Sequence, residues 1–545
     1  MIHTANTKLQ SWLDIDMLHR GWERLKRMKL LFIIPPQIIR SIDGIDCAPT
    51  VSIPLGSLYM AAYLRKMEWA GEMRVYDARL GAKVTSYPDG TKIFGDTWDE
   101  VANTIRRYGP DVVAVSNMFS WQIQGALEAA RISKKTCPRA VTVLGGPHAS
   151  SFPLKMIEEE ALDYVVMGEG EHRLHYLLEA LEKGETVSSQ GILGCAEDAN
   201  LLRPNKKAPT SFIPNLDDVP IPAYDLVDMK RYFYLQSHGY APRVREYGKR
   251  AVTLLTSRGC PHQCVFCSIQ TTMGYKFRHH SPEYVKAHIE HLIDNYDIDY
   301  IHFEDDNFTH DIPRYEELLD VLIGMDKIIP WDTPNGVRAD SWTLERIRRT
   351  KRSGCEHLCI AIESSVQRVI DDVVKKKLDL STVEPVMQAC QEVGLPLSAF
   401  FVLGLPGETA AEIKMNVDYA IDKYRRYGVY PTFSMANPLP GTELYDTVVE
   451  HNLLHGTTLS APPRANTIKT DEFDPEYIQT IYDYANRRKT AITLKWMMTN
   501  LAMFKYFLGL GLRNKWFLKR ILFSALKGVK SQVFFRQSGE FAKRT

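Results

Sequence analysis

The sequence lacks the features of a secreted protein. The first 28 residues carry scattered charges and no apolar stretch, so we expect no secretory signal peptide. The nine cysteines among 545 residues are odd in number and follow no regular pairing, which indicates a reducing compartment rather than a disulfide framework. Internal repeats and low-complexity tracts are also lacking. We therefore expect a cytoplasmic protein.

An excess of either charge is lacking too. The 67 lysine and arginine residues nearly cancel the 66 aspartate and glutamate residues, which leaves a net charge of +1. With 45% hydrophobic and 24% charged residues, the composition is that of an ordinary globular protein. A chain of this length should hold two or three domains.

Three of the cysteines stand together. Cys260, Cys264 and Cys267 form a C-x3-C-x2-C loop after a predicted strand at 252–255 and a predicted turn at 257–259. Three thiolates leave one iron of a four-iron cluster without a protein ligand, and an open iron can bind a substrate. The alternative is zinc, but structural zinc normally takes four protein ligands. His262 is a candidate fourth ligand, yet no second Cys/His pair follows at zinc-finger spacing.

This loop, with an aromatic residue directly before the last cysteine, resembles that of the radical S-adenosylmethionine (SAM) enzymes. The resemblance implies a 4Fe-4S cluster held by Cys260, Cys264 and Cys267, with Phe266 beside the cofactors. It also implies that the open iron chelates SAM and that the reduced cluster splits SAM to give a 5′-deoxyadenosyl radical. The protein would hold SAM, exclude water and position a C–H bond.

Short apolar strands alternate with helical patterns between residues 29 and 185. Strands are predicted at 29–34, 73–77, 111–116 and 140–146 and from 163, with helices at 55–66, 98–108, 124–135 and up to 183. This alternation predicts an α/β fold with a doubly wound parallel sheet. Ligands bind such sheets at the carboxyl ends of the strands.

Small residues at these strand ends carry a second resemblance. The stretches at 145–149 (Gly-Gly-Pro-His-Ala) and 168–171 (Gly-Glu-Gly-Glu) resemble the B12-binding domain of cobalamin-dependent radical SAM enzymes, although single glycines often only make turns. The resemblance implies that cobalamin is bound by a set of strand-end residues: Ser116, Met118, Gly145, Gly146, His148, Gly168 and Glu169. The alternative for His148 is a surface loop position.

The loop after the first strand departs from the best-known cobalamin fold. That fold places a cobalt-ligating histidine there, whereas residues 35–40 read Pro-Pro-Gln-Ile-Ile-Arg. We therefore expect cobalamin without a protein histidine ligand. Phe119 and Trp121 either cover the lower corrin face or belong to the core.

Polar residues also follow the strands of the second domain. Glu304, Asp305 and Asp306 end a predicted strand at 300–303; such acids are costly to bury without partners. They either accept hydrogen bonds from SAM or cap a helix and face solvent. Arg338 is expected to neutralise the SAM carboxylate or one of these acids, and Glu363-Ser364 matches the family position that contacts the ribose and methionine of SAM.

Further motifs complete the predicted architecture. Leu-Pro-Gly-Glu at 405–408 and Pro-Leu-Pro-Gly-Thr-Glu-Leu-Tyr at 438–445 resemble family sequences, and the six strand–helix units imply a partial (β/α)6 barrel. Six prolines between 204 and 242 indicate an ordered linker. We expect an N-terminal extension at 1–28, a B12-binding domain at 29–185, a linker at 186–245, a radical SAM domain at 246–450 and a helical C-terminal extension at 451–545.

The C-terminal extension is basic and aromatic. From Arg487 onward there are fourteen lysine and arginine residues against one acid, and residues 496–512 are almost wholly apolar apart from Lys505. This apolar stretch is short for a membrane-spanning helix. Peripheral membrane contact and a helical cap on the barrel are equally consistent with the pattern. No recognised RNA-binding module is present, so no nucleic-acid partner is expected.

The resemblance implies a cobalamin-dependent methyltransferase that adds a methyl group to an unactivated carbon of a small-molecule or lipid-like substrate, with a donor such as flavodoxin or ferredoxin supplying electrons. A first alternative is a cyclase or oxidative enzyme with the same cofactors, similar to the anaerobic Mg-protoporphyrin ester cyclase. A second alternative is a non-catalytic iron–sulfur protein that binds membrane or RNA. A methylthiotransferase is not favoured, because only Cys47, Cys137 and Cys195 precede the loop.

Overall fold

Two sheets, one in each half of the described chain, organise the fold. The computed structural model describes residues 27–39, 41–42, 45–47, 49–187, 189, 191–194, 211–243, 248–455 and 467–499. The first part comprises β1 Lys29–Ile34, β2 Gln37–Ile39, β3 Ser41–Ile42, β4 Ile45–Asp46, α1 Leu55–Lys66, β5 Glu72–Asp77, β6 Val84–Ser86, β7 Lys92–Phe94, α2 Trp98–Tyr108, β8 Val112–Ser116, α3 Ile123–Thr136, β9 Val141–Gly145, α4 Pro147–Ser151, α5 Pro153–Ile157, β10 Tyr164–Val166, α6 Glu171–Glu182 and β11 Ile192–Leu193.

The first sheet has the order β11-β10-β9-β8-β1-β5, and its strands are parallel except for β11. Successive side chains of a strand point to opposite faces, and both faces of β1 are buried. Leu30 and Phe32 pack with residues of α1 and α6, whereas Leu31 and Ile33 pack with residues of α2 and α3. Helices therefore cover both faces, as the doubly wound prediction requires.

The second part comprises α7 Met229–Leu235, β12 Ala251–Leu254, β13 Ser257–Arg258, α8 Ile269–Thr272, β14 Arg278–His279, α9 Pro282–Tyr296, β15 Tyr300–Phe303, α10 Ile312–Ile323, β16 Trp331–Asp332, β17 Val337–Arg338, α11 Leu344–Arg352, β18 Cys355–Glu363, α12 Val383–Val393, β19 Leu397–Leu403, α13 Ala410–Tyr427, β20 Tyr430–Met435, α14 Glu443–Glu450 and α15 Pro475–Thr499. Strands β12, β15, β16, β18, β19 and β20 pair in chain order, all parallel. This is the expected partial (β/α)6 barrel.

The linker contacts both sheets. Arg65 on α1 donates two hydrogen bonds of 2.8 Å to Asp225, and Tyr232 on α7 donates one of 2.6 Å to Asp77 at the end of β5. On the barrel side, the Asp217 carboxylate accepts from the Ser281 backbone N–H at the start of α9. The linker thus holds the first sheet against the barrel.

The start of the C-terminal extension caps the barrel. Helix α15 packs on α13 through Tyr424, whose ring lies 4.7 Å from that of Trp496 and whose hydroxyl lies 2.8 Å from Thr493 Oγ1. Among the described helices, none is long and apolar enough to span a membrane. Most of the basic aromatic stretch, from residue 500 onward, lies outside the described residues, so its proposed membrane contact remains a prediction.

Candidate active site

The cysteine loop projects from a two-stranded ribbon. Strands β13 and β14 pair antiparallel and enclose residues 259–277, which carry all three cysteines. Gly259 has a φ of +83°, and a Cβ there would lie 2.3 Å from the Lys276 carbonyl oxygen, so only glycine fits. The backbone N–H of Cys260 then donates to the Gly274 carbonyl at 3.3 Å.

Burial raises the pKa of each cysteine thiol, that of Cys267 to about 12. The positive charges of Arg338 and Lys376 oppose this effect at Cys264. A metal must therefore displace the protons when it binds. Within the described part of the chain, no group of three or more Cys, His, Asp or Glu side chains is arranged to hold a metal ion.

The acids after β15 have separate tasks. Glu304 pairs with Arg243 of the linker and accepts from Thr253 Oγ1 at 3.2 Å. Asp305 is fully buried and accepts three hydrogen bonds from Thr256 and Ser257, the residues that lead into the cysteine loop. The contacts of both acids are therefore to protein groups, and their predicted role toward SAM remains a prediction.

The next two residues, which the sequence did not single out as a pair, contact the cysteine loop directly. Asp306 Oδ2 accepts from the Gly259 N–H at 2.8 Å, and Asn307 Nδ2 lies 3.8 Å from Cys260 Sγ. Burial raises the pKa of Asp306 to about 7. The run of polar residues after β15 indicated that some side chains there would serve the site. The sequence alone could not predict which of them turn toward the cysteine loop.

The end of β18 places a strained glutamate beside a buried lysine. Glu363 has a φ of +71°, a conformation that costs a non-glycine residue on the order of 1–3 kcal/mol. Its carboxylate lies 2.8 Å from Lys376 Nζ, and both side chains are at most 8% exposed. Asn416 fixes the turn by donating to the Glu363 carbonyl and accepting from the Ser365 N–H, while the neighbouring Ser364 is buried.

Sequence reasoning missed Lys376. The residue stands in a run of three lysines, a pattern typical of a solvated surface. The two flanking lysines, Lys375 and Lys377, both have positive φ values, 59° and 55°. This backbone turns Lys376 into the protein, and no composition or spacing signal predicts such a turn.

Arg338 finds a partner other than the expected acids. Its guanidinium pairs with Asp340 at 2.7 Å and donates to the carbonyl oxygens of Lys376 and Lys377. It therefore anchors the lysine turn rather than neutralising the acids at 304–306. A role toward the SAM carboxylate remains a prediction.

The paired glycines end β9 at the edge of the first sheet. Gly146 has a φ of +123°, and a Cβ there would lie 2.0 Å from the Asn117 carbonyl oxygen. At Gly145, by contrast, the nearest atom to an added Cβ is the Val166 carbonyl oxygen at 3.8 Å, so this side is open. Ser116 is partly buried and Met118 is exposed beside this edge, where Phe119 and Trp121 stack with ring centroids 5.9 Å apart.

His148 follows the glycines within α4 and is 3% exposed, so it is not a surface histidine. Burial and the charge of Lys155 lower its pKa to about 4, which keeps the ring neutral near pH 7. Its Nδ1 and the Asn117 Oδ1 have no hydrogen-bond partner among the described residues. Two unsatisfied polar atoms beside an open glycine indicate that a ligand completes this edge.

The Gly-Glu-Gly-Glu stretch turns toward the barrel. Gly168 has a φ of +64°, and its backbone N–H donates a 2.8 Å hydrogen bond to Ser150 Oγ. The Glu169 carboxylate accepts from the Ile213 N–H of the linker and from Arg258 and Arg278 of the barrel. Its contacts are all to protein groups, so a cobalamin contact remains a prediction.

Helices that follow the two sites in the sequence pack together across the domain boundary. Helix α4 packs against α8, which directly follows Cys267. A Cβ at Gly441 would lie 2.6 Å from Thr271 of α8 and 3.5 Å from Ser151 of α4. The ring of Phe152 contacts that of Tyr445 at 5.8 Å. The open glycine edge and the cysteine loop therefore share one region of the molecule.

Two family models match the chain, a B12 binding domain at residues 43–178 and the Radical SAM superfamily at residues 254–420. Cytidylyl-2-hydroxyethylphosphonate methyltransferase of Streptomyces wedmorensis is 30% identical over 465 residues, which cover 79% of this chain and 84% of that protein. The chain belongs to the cobalamin-dependent radical SAM methyltransferases.

Members of related groups are more distant. The anaerobic magnesium-protoporphyrin IX monomethyl ester cyclase of Rubrivivax gelatinosus is 26% identical over 329 residues, or 59% of this chain and 56% of that protein. The solved structure of TsrM from Kitasatospora setae, a radical SAM methyltransferase with cobalamin and a 4Fe-4S cluster bound, aligns with a TM-score of 0.61 at 16% identity and covers 83% of this chain and 81% of TsrM. At this identity the match shows the fold.

As a cobalamin-dependent radical SAM methyltransferase, the protein is an enzyme that uses a 4Fe-4S cluster, SAM and cobalamin. Its residues fit these groups. Three thiols without a disulfide lie in one loop, the Glu363–Lys376 pair acts electrostatically on Cys264, and the glycine edge carries unsatisfied polar atoms. The expected fold class and cofactors are confirmed.

Proposed function

We propose that the enzyme methylates an unactivated carbon of a small molecule bound between the two sites. The reduced cluster with SAM supplies the hydrogen-abstracting radical, and methylcobalamin supplies the methyl group. The chain's own contribution is geometric. Cys260, Cys264 and Cys267 hold the cluster, Glu363 and Lys376 hold SAM, and the edge at Gly145 holds cobalamin.

The contact between α4 and α8 carries this proposal. Because α4 follows the paired glycines and α8 follows Cys267, their packing places the chain segments next to the proposed methyl-donor site and the proposed radical site side by side. The rings of Phe152 and Tyr445, both partly buried, contact each other at that boundary. A substrate held at this boundary would lie close to both groups, which would favour methyl transfer through proximity.

The substrate class follows from the relatives in part. The 30% identical relative methylates a cytidylyl phosphonate, and its similarity extends over both domains. Hopanoid C-3 methylase of Methylococcus capsulatus is 29% identical, but only over 244 residues. A polar small molecule linked to a nucleotide is therefore the first substrate to test, and a lipid-like molecule is the second. Electrons would come from a small donor such as flavodoxin or ferredoxin. The basic tail, most of which lies outside the described residues, would either cap the barrel or contact a membrane surface, as its composition predicts.

The test is anaerobic reconstitution with iron, sulfide and cobalamin, followed by mass spectrometry of the products from SAM. We expect 5′-deoxyadenosine, S-adenosylhomocysteine and a methylated product with cytidylyl phosphonates or lipid extracts. Formation of 5′-deoxyadenosine without S-adenosylhomocysteine would instead support the cyclase alternative. Cys264→Ala should abolish SAM cleavage. If the reconstituted wild type cleaves no SAM and Cys264→Ala makes no difference, the non-catalytic alternative is favoured.

A further inference from the structure

A network of buried ion pairs crosses the domain boundary. Glu169 Oε1 accepts from Arg278 at 2.7 Å and from Arg258 at 3.2 Å, and Glu171 Oε1 accepts from Arg258 at 2.6 Å. These four side chains are between 0 and 6% exposed. Both carboxylates follow β10 of the cobalamin-binding domain, and both guanidinium groups belong to the radical SAM domain.

The two arginines need the carboxylates. Arg258 and Arg278 are direct cross-strand partners in the β13–β14 ribbon, and like charges in that position destabilise a strand pair. Glu169 lies between them and accepts from both. Although burial acts to raise the pKa of Glu171, the Arg258 guanidinium holds it below its ordinary value, so the carboxylate remains ionised. The ribbon geometry therefore depends on groups from the other domain.

This ribbon is the base of the cysteine loop. Arg258 precedes Cys260 by two residues, and Arg278 Nη2 donates to the Met273 carbonyl within the loop at 2.7 Å. A shift of the arginines would move the cluster ligands. On the other side, β10 pairs with β9 so that Val166 faces Gly145, next to the open edge. A short path of hydrogen bonds and strand pairs thus joins the two cofactor sites.

From this geometry we infer that Glu169 and Glu171 are positioning residues that bind Arg258 and Arg278 and so fix the distance between the cluster and cobalamin. The inference rests on the proposed two-site function. It gives the Gly-Glu-Gly-Glu stretch a task other than contact with cobalamin. Loss of one carboxylate leaves the arginines with uncompensated charge, which the ribbon relieves by moving the loop.

The test compares the wild-type enzyme with Glu171→Gln, which keeps the side-chain shape and removes the charge. Both proteins are loaded with cluster and cobalamin and matched for iron and cobalt content. With the cluster reduced and cobalt in its +2 state, both groups are paramagnetic, and the coupling in their electron paramagnetic resonance spectra reports their separation. Asp225→Asn is the matched control, because it removes the carboxylate of an exposed ion pair between Arg65 of α1 and Asp225 of the linker.

We expect wild type and Asp225→Asn to show the same spin coupling, and Glu171→Gln to show weaker coupling. Methylated product per 5′-deoxyadenosine should fall about 10-fold to 100-fold in Glu171→Gln, as for a misplacement on the order of 1 Å. Glu171→Asp, which retains the charge, should recover part of the coupling. If Glu171→Gln does not take up cofactors, the same comparison is made with Glu171→Asp.

Unchanged coupling and unchanged product ratio in the substituted enzyme would overturn the inference. If the wild-type enzyme shows spin coupling but forms no methylated product, the proposed methyl transfer would be contradicted instead. The two failures are therefore distinct. A variant that merely lowers stability would show reduced cofactor content but normal coupling in the loaded fraction, which also counts against positioning.

Discussion

Asn307 contacts a cluster ligand without being one. Its Nδ2 lies 3.8 Å from Cys260 Sγ, and hydrogen bonds to ligand sulfurs raise the reduction potential of iron–sulfur clusters. We predict that Asn307→Ala lowers the midpoint potential. A net hydrogen bond of about 1 kcal/mol corresponds to about 40 mV for one electron. A redox titration followed by electron paramagnetic resonance measures the shift.

Asn335→Ala is the control for that measurement. Asn335 donates to the Glu304 carbonyl near the same strand end but makes no contact with a cysteine. Its removal should leave the potential unchanged. Equal shifts in both variants would show that the effect comes from general loosening of the loops and not from the sulfur contact.

Lys376 is the residue whose importance only the structure shows. Its ammonium group is the buried partner of Glu363, and removal of one member of a buried ion pair costs about 3–5 kcal/mol. We predict that Lys376→Met lowers the free energy of unfolding by that amount and weakens SAM binding. The double variant with Glu363→Gln should regain stability but not SAM affinity, which denaturant unfolding and equilibrium dialysis measure separately.

Lys375→Met provides the matched comparison, because Lys375 pairs with Glu443 where both side chains are about half exposed. Exposed ion pairs contribute about 0–1 kcal/mol to the free energy of unfolding, so Lys375→Met should be nearly as stable as wild type. If the double variant bound SAM as tightly as wild type, the buried pair would have no role toward the cofactor.

At the scale of elements, the two adjacent glycines after β9 separate folding from cofactor binding. A Cβ at Gly146 would meet the Asn117 backbone at 2.0 Å, so Gly146→Ala should destabilise the domain by at least about 1–3 kcal/mol. A Cβ at Gly145 meets nothing closer than 3.8 Å. We predict that Gly145→Ala keeps the melting temperature but weakens cobalamin binding, as measured by absorption titration. Full cobalamin affinity in Gly145→Ala would place the cofactor elsewhere.

The regular elements were largely predictable from the sequence. The strand at 29–34 and the helices at 55–66 and 98–108 match their observed bounds. The strand is a buried apolar run, and the helix at 98–108 is amphipathic and begins with a capping box, so both leave local patterns in the sequence. Ser281 caps α9 and Pro282 begins it, which is the residue pattern typical of a helix start. The β13–β14 ribbon has two residues on each strand, which is too short for any periodicity, and only its long-range contacts define it.

The site was predictable as a set of strand ends but not as a set of contacts. The cysteine spacing and the glycine pairs identified both cofactors. The partners of Glu169, Asp305 and Arg338 were not foreseen, because each is an ion or hydrogen-bond partner chosen by tertiary packing. The sequence shows which charged residue ends a strand. The partner of that residue depends on its side-chain rotamer, which the neighbouring elements determine.

At the scale of the whole molecule, buried histidines lie where the parts join. His280 lies 3.2 Å from Asp217 of the linker, and His288 lies 3.0 Å from the hydroxyl of Tyr224, also in the linker. Burial lowers the pKa of both histidines to about 3, from an ordinary value of 6.5. In the unfolded chain they take up protons as the pH falls below 6.5, whereas the folded protein keeps them neutral.

Stability should therefore be complete above pH 6.5 and decrease as the pH falls from 6.5 toward 3. At pH 5 each histidine removes about 2 kcal/mol, since the unfolded state alone binds the proton. We predict that His288→Gln flattens the decrease in unfolding free energy between pH 7 and pH 5 by about that amount, measured by urea titration at each pH. His451→Gln, which alters an exposed histidine, should retain the wild-type slope. An unchanged slope in His288→Gln would show that the linker joint does not exclude the proton.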